Sequence, residues 1–303
     1  MKKWIKAARL RTLPLSISGI ILGTACAYPA YHTKENYWWI FGFCFLTTLF
    51  FQVLSNYAND YGDAVKGTDN ENRVGPARAI QSGEITQAEM KKAIAITSVL
   101  SLLSSIGVIY VSFGSENFIL AIVYLVLALA CIGAAIKYTV GSSAYGYKGL
   151  GDIFVFVFFG LVSTLGSYYL YGHQLDLKVL FPAIAVGLLS AAVLNMNNMR
   201  DIENDAAMGK NTIVVKMGFD KARVYHFSLI LGAIIFFNTY AMGTFDKSYL
   251  YLYAIAFFPL LKNLQTVNSV TNPRDLDPEL KRISLSTFFI SLLFSIAIII
   301  NSL

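Results

Sequence analysis

Apolar residues run through this chain in blocks, not in stripes. Between short polar segments lie stretches near 13–31, 38–58, 93–113, 118–138, 150–170, 179–198, 225–244, 249–262 and 285–301. Most are long enough to cross a hydrocarbon layer as an α-helix, which needs about 20 apolar residues. A soluble helix would show a polar back at every third or fourth position, and these blocks lack one. The pattern predicts an all-α polytopic membrane bundle of nine transmembrane helices. The block at 249–262 is the weakest, being short and carrying Pro259, which is placed to bend or end it. The first block follows MKKWIKAARLR, a basic lead-in of the signal-peptide kind. With eight more spans behind it and no persuasive cleavage site, it reads as an uncleaved first helix.

Composition agrees with this solvent. Of 303 residues 56% are hydrophobic and 14% charged, with a mean hydropathy of +0.57, outside the ordinary soluble range. Charge then orients the chain. If the N-terminus is cytoplasmic, 21 of the 24 Lys and Arg fall on inner segments, and the outer loops hold only Lys34, Lys178 and Lys247. Such asymmetry marks the inner face, and nine spans then leave the C-terminus outside. The basic inner face would attract membrane lipids with anionic headgroups and phosphorylated ligands. Nucleic acid is a poor partner, because the basic residues share short loops with many carboxylates and no binding module is visible. Cys26, Cys44 and Cys131 lie in or beside apolar blocks without metal-like spacing, and His32, His173 and His226 are scattered. No disulfide framework, zinc site or His-based triad follows.

Two polar segments carry the candidate chemistry. One, NYANDYGDAVKGTDNENRVGPARAIQSG, runs from Asn56 to Gly83, and the other, NMNNMRDIENDAAMGKNTIVVKMG, from Asn195 to Gly218. In the first, Asn56, Asp60 and Asp63 are spaced by four and three; in the second, Asn197, Asp201 and Asp205 are spaced by four and four. On a helix each set lines one face. Carboxylates at the edge of a hydrophobic bundle are costly unless something compensates them. Oxygen-only ligands favour a hard ion such as Mg²⁺, which on one or two carboxylates keeps positions open for phosphate oxygens. Two such clusters suit a diphosphate held from both sides, with Arg73, Arg78, Lys148, Arg200 and Lys210 adding positive charge. The matching ligand is an amphiphile with its diphosphate at the cytoplasmic mouth and its hydrocarbon between helices. Asp69, Glu71, Glu84 and Glu203 read more simply as caps or loop partners of Lys and Arg. The two segments lie four spans apart on the same face, which suggests one membrane domain of two diverged parallel halves, about 13–138 and 150–262, plus a ninth helix.

RTLPLSISGIILGT, NYANDYGDAVKGTDNENRVGPARAIQSGEI, YKGLGDIFVFVFFG and NNMRDIENDAAMGKNTIVVKMG occur in this order along nearly the whole chain. In them the sequence resembles the UbiA superfamily of intramembrane aromatic prenyltransferases, and within it the branch that prenylates a naphthoate. The resemblance implies nine helices around a central cavity topped by helical cytoplasmic cap loops, in a bacterial cytoplasmic membrane. It implies that Asn56, Asp60 and Asp63 contribute to a Mg²⁺–diphosphate site, that Asp201 and Asp205 complete it with Asn197 or Asn198 nearby, and that Lys66, Arg73 and Arg78 contact diphosphate or organise the cap. Two Mg²⁺ ions would bridge the diphosphate. The implied reaction moves a polyprenyl group from polyprenyl diphosphate to 1,4-dihydroxy-2-naphthoate, with loss of carbon dioxide and diphosphate, giving demethylmenaquinol. No protein partner is implied. Lys148 and Asp152 are the candidates for acceptor recognition or proton handling, and Tyr57, Tyr61, Tyr145 and Tyr147 for packing the acceptor or shielding the cation. Many hydroxybenzoate-branch relatives continue N-D-x-x-D-R-x-x-D; here Ala64 and Gly67 replace the Arg and the last Asp. That departure disfavours 4-hydroxybenzoate as acceptor without removing it, and a membrane transporter is the alternative from another class.

Overall fold

The computed structural model describes residues 2–9, 12–70 and 74–303. In chain order the helices are α1 (Lys2–Ala8), α2 (Leu13–Tyr31), α3 (Tyr37–Lys66), α4 (Gln87–Phe113), α5 (Phe118–Lys137), α6 (Gly151–Val155), α7 (Ser167–Gly172), α8 (Leu180–Arg200), α9 (Ile202–Ala207), α10 (Ile213–Met217), α11 (Phe219–Met242), α12 (Phe258–Ser269) and α13 (Asp277–Asn301). A π-helical stretch, Phe156–Gly166, joins α6 to α7. Tighter 3₁₀ turns occupy Tyr145–Lys148, Leu177–Val179, Ser248–Phe257 and Pro273–Leu276. The protein is an all-α, multi-pass membrane protein. Among the described residues eight helical runs are long and apolar enough to cross a membrane: α2, α3, α4, α5, Gly151–Gly172, Leu177–Arg200, α11 and Pro273–Asn301. The stretch expected to span at 249–262 is instead divided. Ser248–Phe257 winds as 3₁₀ and α12 begins at Phe258, with Pro259 in its first turn, where a missing backbone N–H costs nothing.

The chain forms two compact units, each discontinuous in sequence. The first comprises Met1–Leu13, Trp38–Gly151 and Glu203–Lys216. Its long element is α3, whose 30 residues make about 45 Å of helix, roughly 15 Å more than a hydrocarbon layer. Trp38 and Trp39 are 64% and 68% exposed near its start; with these rings at a membrane interface, which such residues favour, the surplus would fall at the other end, from about Tyr57 to Lys66, and would carry the acidic face clear of the hydrocarbon. Gly67 then ends the helix with φ +74°, a conformation that favours glycine. Thr86 and Glu89 start α4 with a reciprocal capping box, which extends it upstream of the apolar block at 93. Ala7 and Ala8 of α1 are buried with Tyr57, Ala79, Ile85 and Met90.

The second unit comprises Pro14–Tyr37, Asp152–Ile202 and Met217–Leu303. Small residues let its backbones approach closely, as lipid-embedded helices require in the absence of a hydrophobic drive between them. A Cβ at Gly160 in the π-helical stretch would meet the Gly187 Cα at 2.5 Å and the Ala183 carbonyl oxygen at 2.7 Å. Elsewhere Phe294 of α13 sits among aromatic rings, with centroids 5.0 Å from Phe237 and 4.7 Å from Tyr253. A buried polar chain ties three helices together: the His226 ring lies 2.8 Å from Asn263 Oδ1, and Asn263 Nδ2 donates to Glu279 at 2.8 Å.

The glycine contact makes a direct prediction. Gly160→Ala should lower the thermal midpoint in detergent, at a cost of about 1–3 kcal/mol for overpacking. Gly133→Ala in α5, where a Cβ meets nothing within 4 Å, should leave it unchanged or slightly raised.

Candidate functional site

In the first unit the projecting end of α3 gathers two groups of charges. Asp60 is almost fully buried and forms an ion pair with Arg9, and Arg78 Nη1 stands 3.6 Å from the same carboxylate. Arg78 also lies 3.7 Å from Asp69, which is therefore a loop partner of an arginine, as expected. Asp63, three positions on, faces different company. The Tyr147 hydroxyl donates to Asp63 Oδ1 at 2.7 Å and lies 2.5 Å from the Thr68 hydroxyl. Lys66 places its ammonium 3.7 Å from the centre of the Tyr147 ring, and Lys210 places its own at 5.7 Å, both cation–π distances. Lys210 also pairs with Asp205 at 3.3 Å, and Asn204 donates to the Thr68 carbonyl at 3.1 Å.

Tyr147 is the hub of this group. The 3₁₀ turn Tyr145–Lys148 sets its position, and Asn211 N–H donates to its carbonyl at 3.1 Å. Burial pushes its phenol well above the ordinary tyrosine range, and the neighbouring Asp63 charge pushes the same way. The hydroxyl therefore stays a donor and holds Asp63 in one orientation. Asn56, one helical turn before Asp60, meets the segment that Asp60 also meets through Arg9: Nδ2 donates to the Ala8 carbonyl at 2.8 Å and to Thr12 Oγ1 at 3.3 Å. The Tyr145 hydroxyl donates to the Ala134 carbonyl of α5 at 2.8 Å. Lys148 is exposed, and its carbonyl accepts from Lys216 at 2.6 Å. Arg73 and Glu71 lie outside the described residues.

The second unit holds the remaining candidates. At the end of α8, Arg200 grips Asp201 with two bonds, at 3.0 and 2.5 Å. It also reaches Asp277 at 2.6 Å and Asn197 Oδ1 at 3.0 Å. This fork of donors fits a planar carboxylate, which a lysine could not match. Asn198 is buried in the same turn. Asp152, in the first turn of α6, is buried with the Tyr225 hydroxyl 3.5 Å from Oδ1.

Spacing brought out the carboxylates but missed several of their partners. Nothing in the acidic spacing marks Arg9, Thr68, Asn204 or Asp277, and it gives Tyr147 only the role of its ring. One signal was available for Arg9: Lys3, Lys6 and Arg9 recur at every third position, and all three pair with acids, Glu89 at 3.1 Å, Glu84 at 2.5 Å and Asp60.

The donor set suits a hard divalent cation in one mode only. Among the described residues no three Asp, Glu, His or Cys side chains gather into a closed metal site. What is present is carboxylate oxygen, in ones and twos, matched by Arg and Lys. That chemistry fits an ion which completes its shell with phosphate oxygens and water, as Mg²⁺ does, and does not fit a cage built by protein alone.

The UbiA prenyltransferase family matches residues 20–293. The chain is 42% identical over 301 residues to the 1,4-dihydroxy-2-naphthoate octaprenyltransferase of Haemophilus influenzae, covering 99% of this chain and 97% of that one. It is 41% identical over 298 residues to the enzyme of the same name from Escherichia coli, covering 98% and 95%. Its fold is similar to that of a UbiA homolog from Archaeoglobus fulgidus bound to GPP and Mg²⁺, with a TM-score of 0.62, 18% identity and coverage of 97% and 99%.

Tyr147→Phe keeps the ring beneath Lys66 and removes the hydroxyl. The loss of a buried bond to a charged acceptor should cost about 1.5–3 kcal/mol, read as a lower thermal midpoint near neutral pH. Because the folded pKa is raised, the contribution is complete below about pH 10, the unfolded value. It disappears as pH rises toward the folded value, so the gap between wild type and variant should close only on the alkaline side.

Proposed function

The chain belongs to the UbiA prenyltransferase family, and on that premise we propose that it transfers a polyprenyl group from polyprenyl diphosphate to 1,4-dihydroxy-2-naphthoate, giving demethylmenaquinol. The observation that carries this reading is the 42% identity to a naphthoate prenyltransferase over 99% of the chain, a span that includes both acidic segments. Fold likeness alone would leave the acceptor open.

Asp60, Asp63, Asp201 and Asp205 are proposed to hold Mg²⁺, as two ions. When bound, Mg²⁺ supplies positive charge that stabilises the departing diphosphate. The side chains around it do the rest. Lys66, Lys210, Arg78 and Arg200 neutralise phosphate oxygens, and Tyr147 keeps Asp63 from turning away. The allylic C–O bond breaks with its electron pair leaving on diphosphate. The electron-rich ring then forms the new C–C bond at the carbon that bears the carboxylate. As carbon dioxide leaves, the pair from its bond to the ring returns to the ring and restores aromaticity. That balance demands no proton from the substituted carbon, so the step needs no general base there. Asp152, buried beside Tyr225, and the exposed Lys148 are proposed to orient the acceptor.

The same reading proposes a cytoplasmic N-terminus and an outer C-terminus in a bacterial cytoplasmic membrane, with Ser248–Ser269 as the ninth crossing. Ten 3₁₀ residues followed by 12 α-helical ones rise about 20 and 18 Å respectively, together enough for the hydrocarbon.

Purified protein in detergent should form product from a polyprenyl diphosphate and 1,4-dihydroxy-2-naphthoate with Mg²⁺, and none with excess chelator. Asp60→Asn and Asp201→Asn should each reduce turnover by about 100-fold or more, the scale set by removing a charge-stabilising group. Equal or faster reaction with 4-hydroxybenzoate would overturn the acceptor.

A further inference from the structure

We propose that Asp277, at the start of α13, is a positioning residue for metal binding: it draws the Arg200 guanidinium off the Asp201 carboxylate, so that a divalent cation can take Asp201 while Arg200 keeps a partner. The proposal rests on the assignment of Asp201 to the Mg²⁺ site and adds to it an acid from the loop before α13, which belongs to neither acidic segment.

Arg200 is buried at the end of α8 with its donors occupied inside the chain. Nε and Nη2 hold the two oxygens of Asp201 at 3.0 and 2.5 Å, Nη2 also donates to Asn197 Oδ1 at 3.0 Å, and Nη1 donates to Asp277 Oδ1 at 2.6 Å. One buried cation needs one buried anion, and this one has two carboxylates. Their settings differ: the Asp201 side chain is 6% exposed and that of Asp277 is 44% exposed. Asp201 is the acid that a cation must neutralise. Asp277 faces water and is surplus to that need.

The turn that delivers Asp277 is well built. Asn272 Oδ1 accepts from Arg274 N at 3.1 Å and opens the 3₁₀ turn Pro273–Leu276. Leu276 is fully buried at its end, and α13 begins with Asp277, with a proline in its first turn. An acid in a first turn suits the positive end of a helix, which would account for a carboxylate here. It does not account for a bond to a buried arginine 77 positions away.

Asp201 cannot offer the same two oxygens to a bidentate guanidinium and to a divalent cation, and two cations on one carboxylate repel each other. Metal at Asp201 therefore requires Arg200 to give up at least one oxygen. A buried donor that loses its acceptor is costly, but Nη1 already rests on Asp277. A carboxylate takes two parallel N–H bonds from one guanidinium, so a second donor can follow the first. Asp277 thus lowers the cost of clearing Asp201 for metal.

The test is Mn²⁺ binding to the full chain in detergent, read by electron paramagnetic resonance, alongside the thermal midpoint of each variant. Asp277→Asn should weaken Mn²⁺ binding several-fold, and Asp277→Glu, which keeps the charge, should restore part of it. Asp275→Asn removes the same charge from an exposed position in the same turn and should leave Mn²⁺ affinity near wild type. In an Arg200→Gln background, Asp277→Asn should make no further difference. Wild-type Mn²⁺ affinity in Asp277→Asn, with only a lowered thermal midpoint, would reduce Asp277 to a helix-end acid and overturn the role. Equal weakening by Asp275→Asn, or an undiminished effect without Arg200, would make it a matter of general charge and overturn it as well. If the wild type binds no Mn²⁺, or Asp201→Asn binds it as the wild type does, the assignment of Asp201 to metal fails and this role with it.

Discussion

A carboxylate buried at the edge of a hydrocarbon layer costs several kcal/mol unless its charge is matched nearby, and in the first unit that requirement dictates what surrounds α3. Asp60 is met by Arg9 and Arg78, Asp63 by Tyr147, and Asp205 by Lys210. These partners come from distant parts of the chain, so the matching also fixes where α1, the 76–79 turn, the 3₁₀ turn at Tyr145 and the segment after α9 must lie. Each of these carboxylates is thus matched within the chain itself, and on the proposed reading a cation and a diphosphate would exchange with these partners.

The membrane character, the helical class and the carboxylates were legible because they are written in local pattern. Apolar block length answers to the thickness of hydrocarbon, and a spacing of four and three answers to the helical turn, so both can be read without knowing what lies across from them. The extent of α3 to Lys66 and the early start of α4 at Gln87 were less legible, because there the helix continues through polar sequence held by capping and ion pairs. At 249–262 block length alone misled in form: the apolar character is present, but proline and the preceding tyrosine-rich run divide it between two kinds of helix. The partners of the carboxylates were hidden for a different reason. Arg9 and Asp60 are 51 positions apart and Tyr147 and Asp63 are 84 apart, and no local rule links residues across such distances. Asn56 and Asp60, spaced by four, both meet the stretch at the end of α1, as a shared helical face requires.

The second unit solves a separate problem with different means. Its helices approach through Gly160, Gly187 and Ala183, and its polar groups are satisfied along chains such as His226–Asn263–Glu279. Hydrophobicity holds this unit in the bilayer but does not choose which helices touch, because lipid tails are as apolar as leucine. Close backbone contact and buried hydrogen bonds therefore set its register. The π-helical stretch belongs to this solution, since it places Gly160 against α8 in the middle of an otherwise apolar run.

The length of α3, 30 residues, would tie the proposed chemistry to the lipid around it. With Trp38 and Trp39 at an interface, the acidic face would begin a fixed number of residues away, and the helix would act as a ruler laid against the bilayer. In a thicker membrane, with the tryptophans held at their surface, the carboxylate end would sink toward the acyl chains or the helix would have to stand more upright, each at a cost of fractions of a kcal/mol per Å of mismatch. A thinner one would lift the same groups further into water and weaken the low-dielectric setting in which their charges act most strongly. Acyl-chain length would thereby become a control on the proposed site that no residue in it needs to sense.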